Sequence, residues 1–597
     1  MNNPIDKESL KSLAGSKFFV GAILIAILAV GIFLRAYNFS DWQHFELDQS
    51  RDAKVIDLAV ENGAGDLPLL GPKAAGSFLR LGPIFYYFGY VSAKVFGNTP
   101  SGIAVISLIF SCLTLPLFYL FVRRFFSKKI GLMLLGVFAV SIFLVLYSRF
   151  SWNPNNLPFF TLATLYGLLR ATDLDEKRKG WWLVGSFVAL AVAMQLHFVA
   201  FLGFPVIVGA YLFLKRPSIN WKYWLAAAIC FVFLYTPVII NDFKTGGENV
   251  AEFEKVFIKK STKDDHTLIE KAIRGVDEIS AGYVLLLSGD SQADLPRIKV
   301  VGMRPSYICD EKCVTGLPMG IVSLIFFLLG VAALGWNIFS VKDVKRKDFL
   351  TLMAIWLVVS MGLFTPIAYD LAPRFLLLIA PVPFVLLGFM FDFFEKKKIE
   401  YLSWIFFIIL IASNGWLIKN RFQELGNAPV AAFEIESDKI LKENERVTLE
   451  QQLLITDYIE SVYKRNNFPV YVNSEAFYRR AFLYHLEQRL IVRDDFRNTK
   501  SVYAEGNYFL IYPTSSKVEK VFENYSEKYS INEIREFGTL RAIHLIPKSE
   551  AVSAVRQEFA PERKPVSAFG VPVRCRWNEI FSQCNSDGTE AEDESVI

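Results

Sequence analysis

The chain is poor in the residues that build metal centres, with five histidines and six cysteines among 597 positions. Its close cysteine pairs, Cys309 with Cys313 and Cys575 with Cys584, have no histidine beside them, which argues against structural zinc. The polar region 421–597 contains no glycine-rich phosphate loop, so nothing there marks a nucleotide-binding domain. Strongly charged residues are few in the middle of the long apolar runs. Ion-coupled transporters carry ionisable groups at that depth, so the shortage weakens a transporter reading. No repeat of fixed period is present, which excludes a solenoid or propeller. No twin-arginine pattern or small-residue cleavage site follows the first apolar run, KFFVGAILIAILAVGIFL, which therefore reads as an uncleaved anchor. The formal net charge of +5 is small and scattered and does not suit nucleic acid.

What is present is apolar surface. Hydrophobic residues make up 53% of the chain and phenylalanine alone contributes 54 positions, which fits helices surrounded by lipid. A spanning helix needs about twenty mostly apolar residues. Such runs occur at 17–36, 101–122, 130–148, 157–171, 181–197, 199–215, 221–241, 318–339, 348–366, 374–394 and 402–419. The expected fold is mainly α: a polytopic membrane protein of about eleven transmembrane helices.

Basic loops orient the spans. They are the N-terminus, VRRFFSKK at 122–129, DEKRKG at 175–180, LKRPSINWKY at 214–223, SVKDVKRKD at 340–348 and EKKK at 395–398. An odd number of spans puts all of them on one side, expected to be the cytoplasm. The outer loops are then 37–100, 149–156, a tight turn near His197, 242–317, 367–373 and everything after 420. Counting 82–98 as a further span would invert every later basic loop. This segment is therefore expected to be an interfacial helix with Tyr86, Tyr87 and Tyr90 at headgroup level. HTLIEKAIRGVDEISAGYVLLLSG at 266–289 is amphipathic and is expected on the membrane surface or capping a cavity.

Cys112 and Cys230 fall inside spans and read as packing residues. The other four cysteines fall on the outer side, where disulfides persist, and are expected to form two local bridges, Cys309–Cys313 and Cys575–Cys584. Beyond residue 420, the segment 448–465 has helical periodicity, and 468–473, 507–513 and 539–547 read as strands. The domain plan is a cytoplasmic N-terminus at 1–16, a transmembrane part at 17–420, a small extracytoplasmic α/β domain at 421–548, and a linker and partly disordered tail at 549–597. The N-x-S sequences at Asn38 and Asn524 read as chance matches.

Polar residues collect in five outer places: ELDQSRD with LLGPKAAGSFLRLGPIFYY, SRFSWNPNN, Gln195 with His197, IINDFKTGGEN, and TPIAYDLAPRF. The order of an acidic D-[EQ] motif after one span, a G-P-x-x-Y-Y segment, and S-R-x-x-W-N-P-N after the third span resembles the GT-C superfamily of membrane glycosyltransferases. The likeness is to the bacterial protein O-mannosyltransferase and aminoarabinose transferase branch (glycosyltransferase family 39-like). Arg374 followed by FLLLIAP is similar to that family's late K/R-Y-x-L-x-x-x-P pattern. The resemblance covers about residues 15–395 and leaves the C-terminal region unmatched.

The resemblance implies transfer of a sugar from a polyprenyl-phosphate donor to a hydroxyl of a protein, glycan or lipid at the outer face of the plasma membrane. An acceptor hydroxyl needs a base, and a departing lipid phosphate gains from cations. Asp48 stands at the family's first acidic position and takes the base role. Gln49 stands where relatives often have Glu, and Asn153, Asn155 and Asn156 stand where relatives often carry an acid, so a two-carboxylate mechanism is not implied. Asp52 falls one helical turn after Asp48, and Arg51 orients Asp48 or binds phosphate. Lys73, Arg80 and Arg374 are phosphate candidates. Tyr86, Tyr87, Asn153, His197, Asp242 and Tyr369 complete the expected substrate-binding set. Arg149 belongs to it too, or pairs with Asp48 or Asp52 to join two loops. No cofactor is required, although Glu46 and Asp48 are spaced to hold a divalent metal such as Mg or Mn.

Each assignment has a bland counterpart. Arg374 also suits an interfacial anchor, Lys73 and Arg80 suit headgroup attraction, WNPN suits a turn, and His197 suits a structural hydrogen bond. Two other classes stay open: a lipid or polysaccharide transporter, and a surface receptor or assembly scaffold working through 421–548.

Overall fold

The computed structural model describes residues 17–74, 79–258, 266–301, 304–436, 438–499, 501–557 and 575–584. The expected cytoplasmic N-terminus and most of the expected linker and tail lie outside these residues. The first helices are α1 (Lys17–Ala36), α2 (Leu47–Asn62), α3 (Ile84–Phe96), α4 (Pro100–Val122), α5 (Lys128–Val140) and α6 (Ile142–Tyr147). There follow α7 (Leu157–Thr172), α8 (Lys179–Leu196), α9 (Phe198–Lys215), α10 (Trp221–Lys244), α11 (Glu248–Ile258) and α12 (Leu268–Ser288). A two-stranded hairpin, β1 (Arg297–Val301) and β2 (Arg304–Ile308), precedes α13 (Glu311–Ser340), α14 (Val344–Phe364), α15 (Pro381–Lys396) and α16 (Tyr401–Asn427).

Among the described residues eight helices are long and apolar enough to cross a membrane, and the 373–379 turn with α15, bent by 57°, makes a ninth. The chain is a multi-pass membrane protein. The two remaining expected spans differ in form. The run at 130–148 is broken at Ser141 into α5 and α6, and α7 has only 16 residues. The break sits inside the bundle, where freed backbone groups must find internal partners. Asn414 supplies one: its Oδ1 accepts from Ile142 N at 2.8 Å, while its Nδ2 donates to Leu287 O at 2.7 Å. Ser141 Oγ donates to Leu286 O at 2.7 Å. These bonds place the end of α12 within the bundle. Tyr283, Leu286 and Leu287 are buried there, so this amphipathic helix does not lie on a surface along its whole length.

Helix α3 forms where expected, but Tyr86 is fully buried rather than at headgroup level. Its hydroxyl is needed inside, as described below.

Beyond α16, helices α17 (Leu449–Asn466) and α18 (Ala476–Gln488) accompany a five-stranded sheet of order β4-β3-β5-β7-β6. Its strands are β3 (Val470–Ser474), β4 (Arg493–Asp495), β5 (Asn507–Pro513), β6 (Tyr529–Phe537) and β7 (Leu540–Pro547). β3 pairs in parallel with β4 and β5, while β7 runs antiparallel to β5 and β6. Alternate residues bury to opposite faces. Val470, Val472, Phe509 and Ile511 pack on one side, and Tyr471, Tyr508 and Leu510 on the other. Three of these strands and α17 match the sequence reading. β6 escapes it because Glu533, Arg535 and Glu536 break the apolar alternation, as charged residues do on edge strands.

The sheet docks on the bundle at one tight turn. Gly538 has φ +65° and lies against the end of α16, where an added Cβ would stand 1.9 Å from Ala428 O. Only glycine permits both the left-handed turn and this approach. Both expected disulfides, Cys309–Cys313 and Cys575–Cys584, are closed. The second closes an ordered loop rather than a tail: Leu69 N donates to Cys575 O at 2.8 Å, and Trp577 Nε1 donates to the Tyr87 hydroxyl at 2.8 Å.

Candidate active site

The first turn of α2 carries the central acid. The Gln49 side chain folds back to accept from Glu46 N at 3.1 Å, so Gln49 caps the helix. Asp48 follows the cap, where the helix dipole favours a negative charge. Asp48, Arg51 and Asp52 share one face through their i+3 and i+4 spacing. Arg51 bridges the two acids, with Nη1 2.8 Å from Asp48 Oδ1 and Nε and Nη2 at 2.9 and 3.1 Å from the Asp52 oxygens. The Tyr86 hydroxyl donates to Asp52 Oδ1 at 2.9 Å. Asp52 is buried, whereas the Asp48 side chain is 44% exposed. Of the two carboxylates, Asp48 is the one open to a substrate.

The loop 149–156 supplies a partner absent from the expected set. Trp152 Nε1 donates to Asp48 Oδ2 at 3.2 Å. The ring of Trp152 also lies 5.6 Å from the Arg374 guanidinium, which has the Phe375 ring 5.4 Å away. Arg374 is half-buried and makes no hydrogen bond or ion pair among the described residues. Its donors are therefore unspent. His197 stands edge-on to Phe375 at 5.2 Å and accepts from Val199 N at 3.2 Å through Nδ1. Burial and the nearby Arg374 lower its pKa to about 3, so it stays neutral. Asn153 donates to Leu196 O at 2.6 Å and ties the loop to the end of α8.

Tyr86, Asp52, Arg51 and Asp48 thus form one chain of hydrogen bonds that Trp152 links to Arg374, and Phe375 links Arg374 to His197. The other expected residues do different work. Arg149 pairs with neither Asp48 nor Asp52. It is buried and donates to the carbonyls of Leu34 and Arg35 in the last turn of α1 and of Tyr37 and Asn38 just beyond it, where a helix end leaves carbonyls without helical partners. Arg80 is buried and donates to Gly71 O at 3.2 Å, while its backbone N donates to Asn249 Oδ1 at 2.9 Å. Lys73 pairs with Arg80 across a short β-bridge. Asp242 Oδ1 accepts from Asn249 N at 3.1 Å, so Asp242, Asn249 and Arg80 fasten 242–250 to 71–82. Tyr87 donates to Pro68 O at 3.1 Å, and Tyr369 stacks on His266 at 3.6 Å.

The expected pairing of Glu46 with Asp48 around a metal does not form. Glu46 turns to His44, whose Nε2 is 3.4 Å away, and His44 Nδ1 meets Glu443 Oε1 at 2.8 Å. His44, Glu46 and Glu443 offer ligand atoms within 4.8 Å of one another. The donor types suit a divalent ion, but Glu443 already faces Arg421 at 2.7 Å and Arg446 at 2.9 Å. The trio is satisfied by the protein's own cations and does not fit a metal. Burial opposes charge on His44, but Glu46 and Glu443 outweigh it and raise its pKa to about 9. Burial raises Glu46 to about 7. Burial also disfavours ionised Glu443, yet Arg421 and His44 bring it down to about 2.

Leu371 and Pro373, from the segment that carries Arg374, line a cavity of about 260 Å³ together with Arg274, Asp277, Glu278 and Asp294. With Asp290 the acids outnumber Arg274 and Lys439, the two cations of the lining, so it does not suit a phosphate.

Residues 81–240 match the family described as dolichyl-phosphate-mannose-protein mannosyltransferase. This segment contains Trp152 and His197, while Asp48 and Arg374 fall on either side of it. No curated protein sequence matches the chain. Among solved structures it is similar to ArnT from Cupriavidus metallidurans bound to undecaprenyl phosphate, at 12% identity and TM-score 0.49, covering 90% of this chain and 99% of that one. It is similar to the oligosaccharyltransferase AglB of Archaeoglobus fulgidus in complex with an inhibitory peptide and a dolichol-phosphate, at 11% identity and TM-score 0.46, covering 90% and 75%. The S. cerevisiae Pmt1–Pmt2 complex bound to the sugar donor is similar at 14% identity and TM-score 0.27, covering 42% and 38%.

Proposed function

We propose that the chain transfers a sugar from a polyprenyl-phosphate donor to an acceptor hydroxyl at the extracytoplasmic face of the plasma membrane. The working part is the membrane bundle, 17–420, with 421–548 as an accessory extracytoplasmic domain. Asp48 takes the hydroxyl proton. The oxygen bonds to the anomeric carbon as that carbon's bond to the phosphate oxygen breaks, and the lipid phosphate leaves. Attack from the side opposite the leaving group makes the reaction inverting. Arg374 and Arg51 supply the positive field that the departing phosphate needs, worth most where water is excluded.

The observation that carries this reading is the half-exposed carboxylate of Asp48 beside the uncommitted guanidinium of Arg374, with Trp152 touching both. The family match over 81–240 supports the same chemistry. The test is an assay of purified protein with a panel of polyprenyl-phosphate sugars and candidate hydroxyl acceptors. Wild-type transfer, abolished in a normally expressed Asp48→Asn variant, is the expected result. Near-normal transfer by that variant removes Asp48 as the base.

A further inference from the structure

The face of α2 away from Asp48 is as tightly held as the face that presents it. At 100° per residue, Lys54 lies about 240° around the axis from Asp48 and Asp57 about 180°. Lys54 and Asp57 are both buried. Asp57 Oδ1 accepts from Asn98 Nδ2 at 2.6 Å. Lys54 Nζ meets Glu487 Oε1 in a buried ion pair, and Glu487 comes from α18, more than four hundred residues away. Arg493 holds the other oxygen of Glu487.

The same helix α18 also grips the start of α2. The Phe45 ring lies 5.5 Å from Tyr484 and 5.2 Å from His485. Gln452 Nε2 donates to Phe45 O at 2.9 Å, and Gln452 is fixed by His485 Nε2 at 3.0 Å from its Oε1. Glu450 N donates to Asp41 O at 3.0 Å. Helix α18 therefore touches the segment leading into α2 at Phe45 and α2 itself at Lys54, and α17 joins it through Gln452 and Glu450. A shift of 1 Å at a base costs orders of magnitude in rate, so such a grip has a function beyond stability.

We infer that Lys54 and Glu487 are positioning residues. Through them the C-terminal layer sets the height and rotation of α2, and so aims Asp48. This rests on Asp48 acting as the base. It assigns the layer to the turnover step rather than to acceptor recognition.

The experiment compares wild type, Glu487→Gln and the double variant K54M/E487M in the full-length protein. Steady-state transfer is measured together with amide hydrogen exchange over residues 45–57. Glu487→Gln removes the negative charge that Lys54 faces across the interface. Its expected effects are a kcat at least tenfold lower, KM for donor and acceptor within twofold of wild type, and at least tenfold faster exchange over 45–57 with α4 unchanged. The double variant removes both charges at similar volume, a change that buried pairs tolerate, and Arg493 is 21% exposed and reaches water. It is expected to restore kcat to within threefold and exchange to the wild-type rate.

Unchanged kcat or exchange in Glu487→Gln overturns the inference, as does a loss confined to the acceptor KM. If that single variant does not fold, the double variant decides: recovery supports the inference, and a folded protein without transfer overturns it. Exchange is read without turnover. Wild type that transfers no sugar therefore counts against the proposed function, while altered exchange in Glu487→Gln still reports the grip on α2.

Discussion

Trp152 Nε1 donates to Asp48 Oδ2 at 3.2 Å, and the same indole faces the Arg374 guanidinium at 5.6 Å. One side chain thus links the Asp48 carboxylate, the proposed base, with the Arg374 guanidinium, the proposed phosphate ligand. With Arg51 holding Oδ1, the Asp48 carboxylate is fixed in direction before substrate arrives.

Trp152→Phe keeps the ring and deletes the donor. A hydrogen bond to a charged group is worth about 1.5–3 kcal/mol, so kcat is expected to fall by about tenfold or more with the acceptor KM little changed. Steady-state kinetics at saturating donor test this. An unaltered kcat means that Arg51 alone orients Asp48.

Arg374→Ala removes the unspent guanidinium. Donor binding is expected to weaken far more than acceptor binding, with Arg374→Lys intermediate because lysine keeps the charge and loses the fork. Equal losses for both substrates reject the phosphate role.

The His44–Glu443 pair makes stability depend on pH in two windows. His44 is raised from 6.5 to about 9, so its contribution is complete below pH 6.5 and is lost as pH rises towards 9. Glu443 is lowered from 4.5 to about 2, so its contribution is present above pH 4.5 and fades as pH falls towards 2. Glu46, raised by burial from 4.5 to about 7, stabilises the fold most below pH 4.5 and loses that contribution as pH rises to about 7. The melting temperature in detergent is therefore expected to peak near about pH 4.5–5, to decline through pH 7 as Glu46 ionises, and to decline further towards pH 9 as His44 loses its proton. Replacing His44 with Gln should flatten the alkaline limb.

The Cys575–Cys584 disulfide closes a short loop whose cross-link is worth about 2–3 kcal/mol on the chain-entropy account. Paired serine replacements are expected to release Trp577 from Tyr87 and open residues 64–87 to proteolysis. The sheet of β3–β7 should keep its resistance, since among the described residues its strands pair only with one another.

The amino-acid sequence by itself settled the helical membrane architecture, both disulfides, three strands of the sheet and the acid-bearing motif after the first span. Those features follow from local composition and periodicity, which act over a few turns of chain. Tertiary structure alone decided which polar groups share a site. Arg80 reads as a phosphate ligand and Arg149 as a substrate or loop-joining residue in sequence, yet both guanidinium groups donate to backbone carbonyls, because a buried guanidinium must find acceptors wherever the fold leaves them. Trp152, legible only as part of a turn motif, became the link between Asp48 and Arg374. Lys54 with Glu487 and His44 with Glu443 were invisible in sequence. Each pair joins segments some four hundred residues apart, and only packing brings such charges within hydrogen-bonding reach.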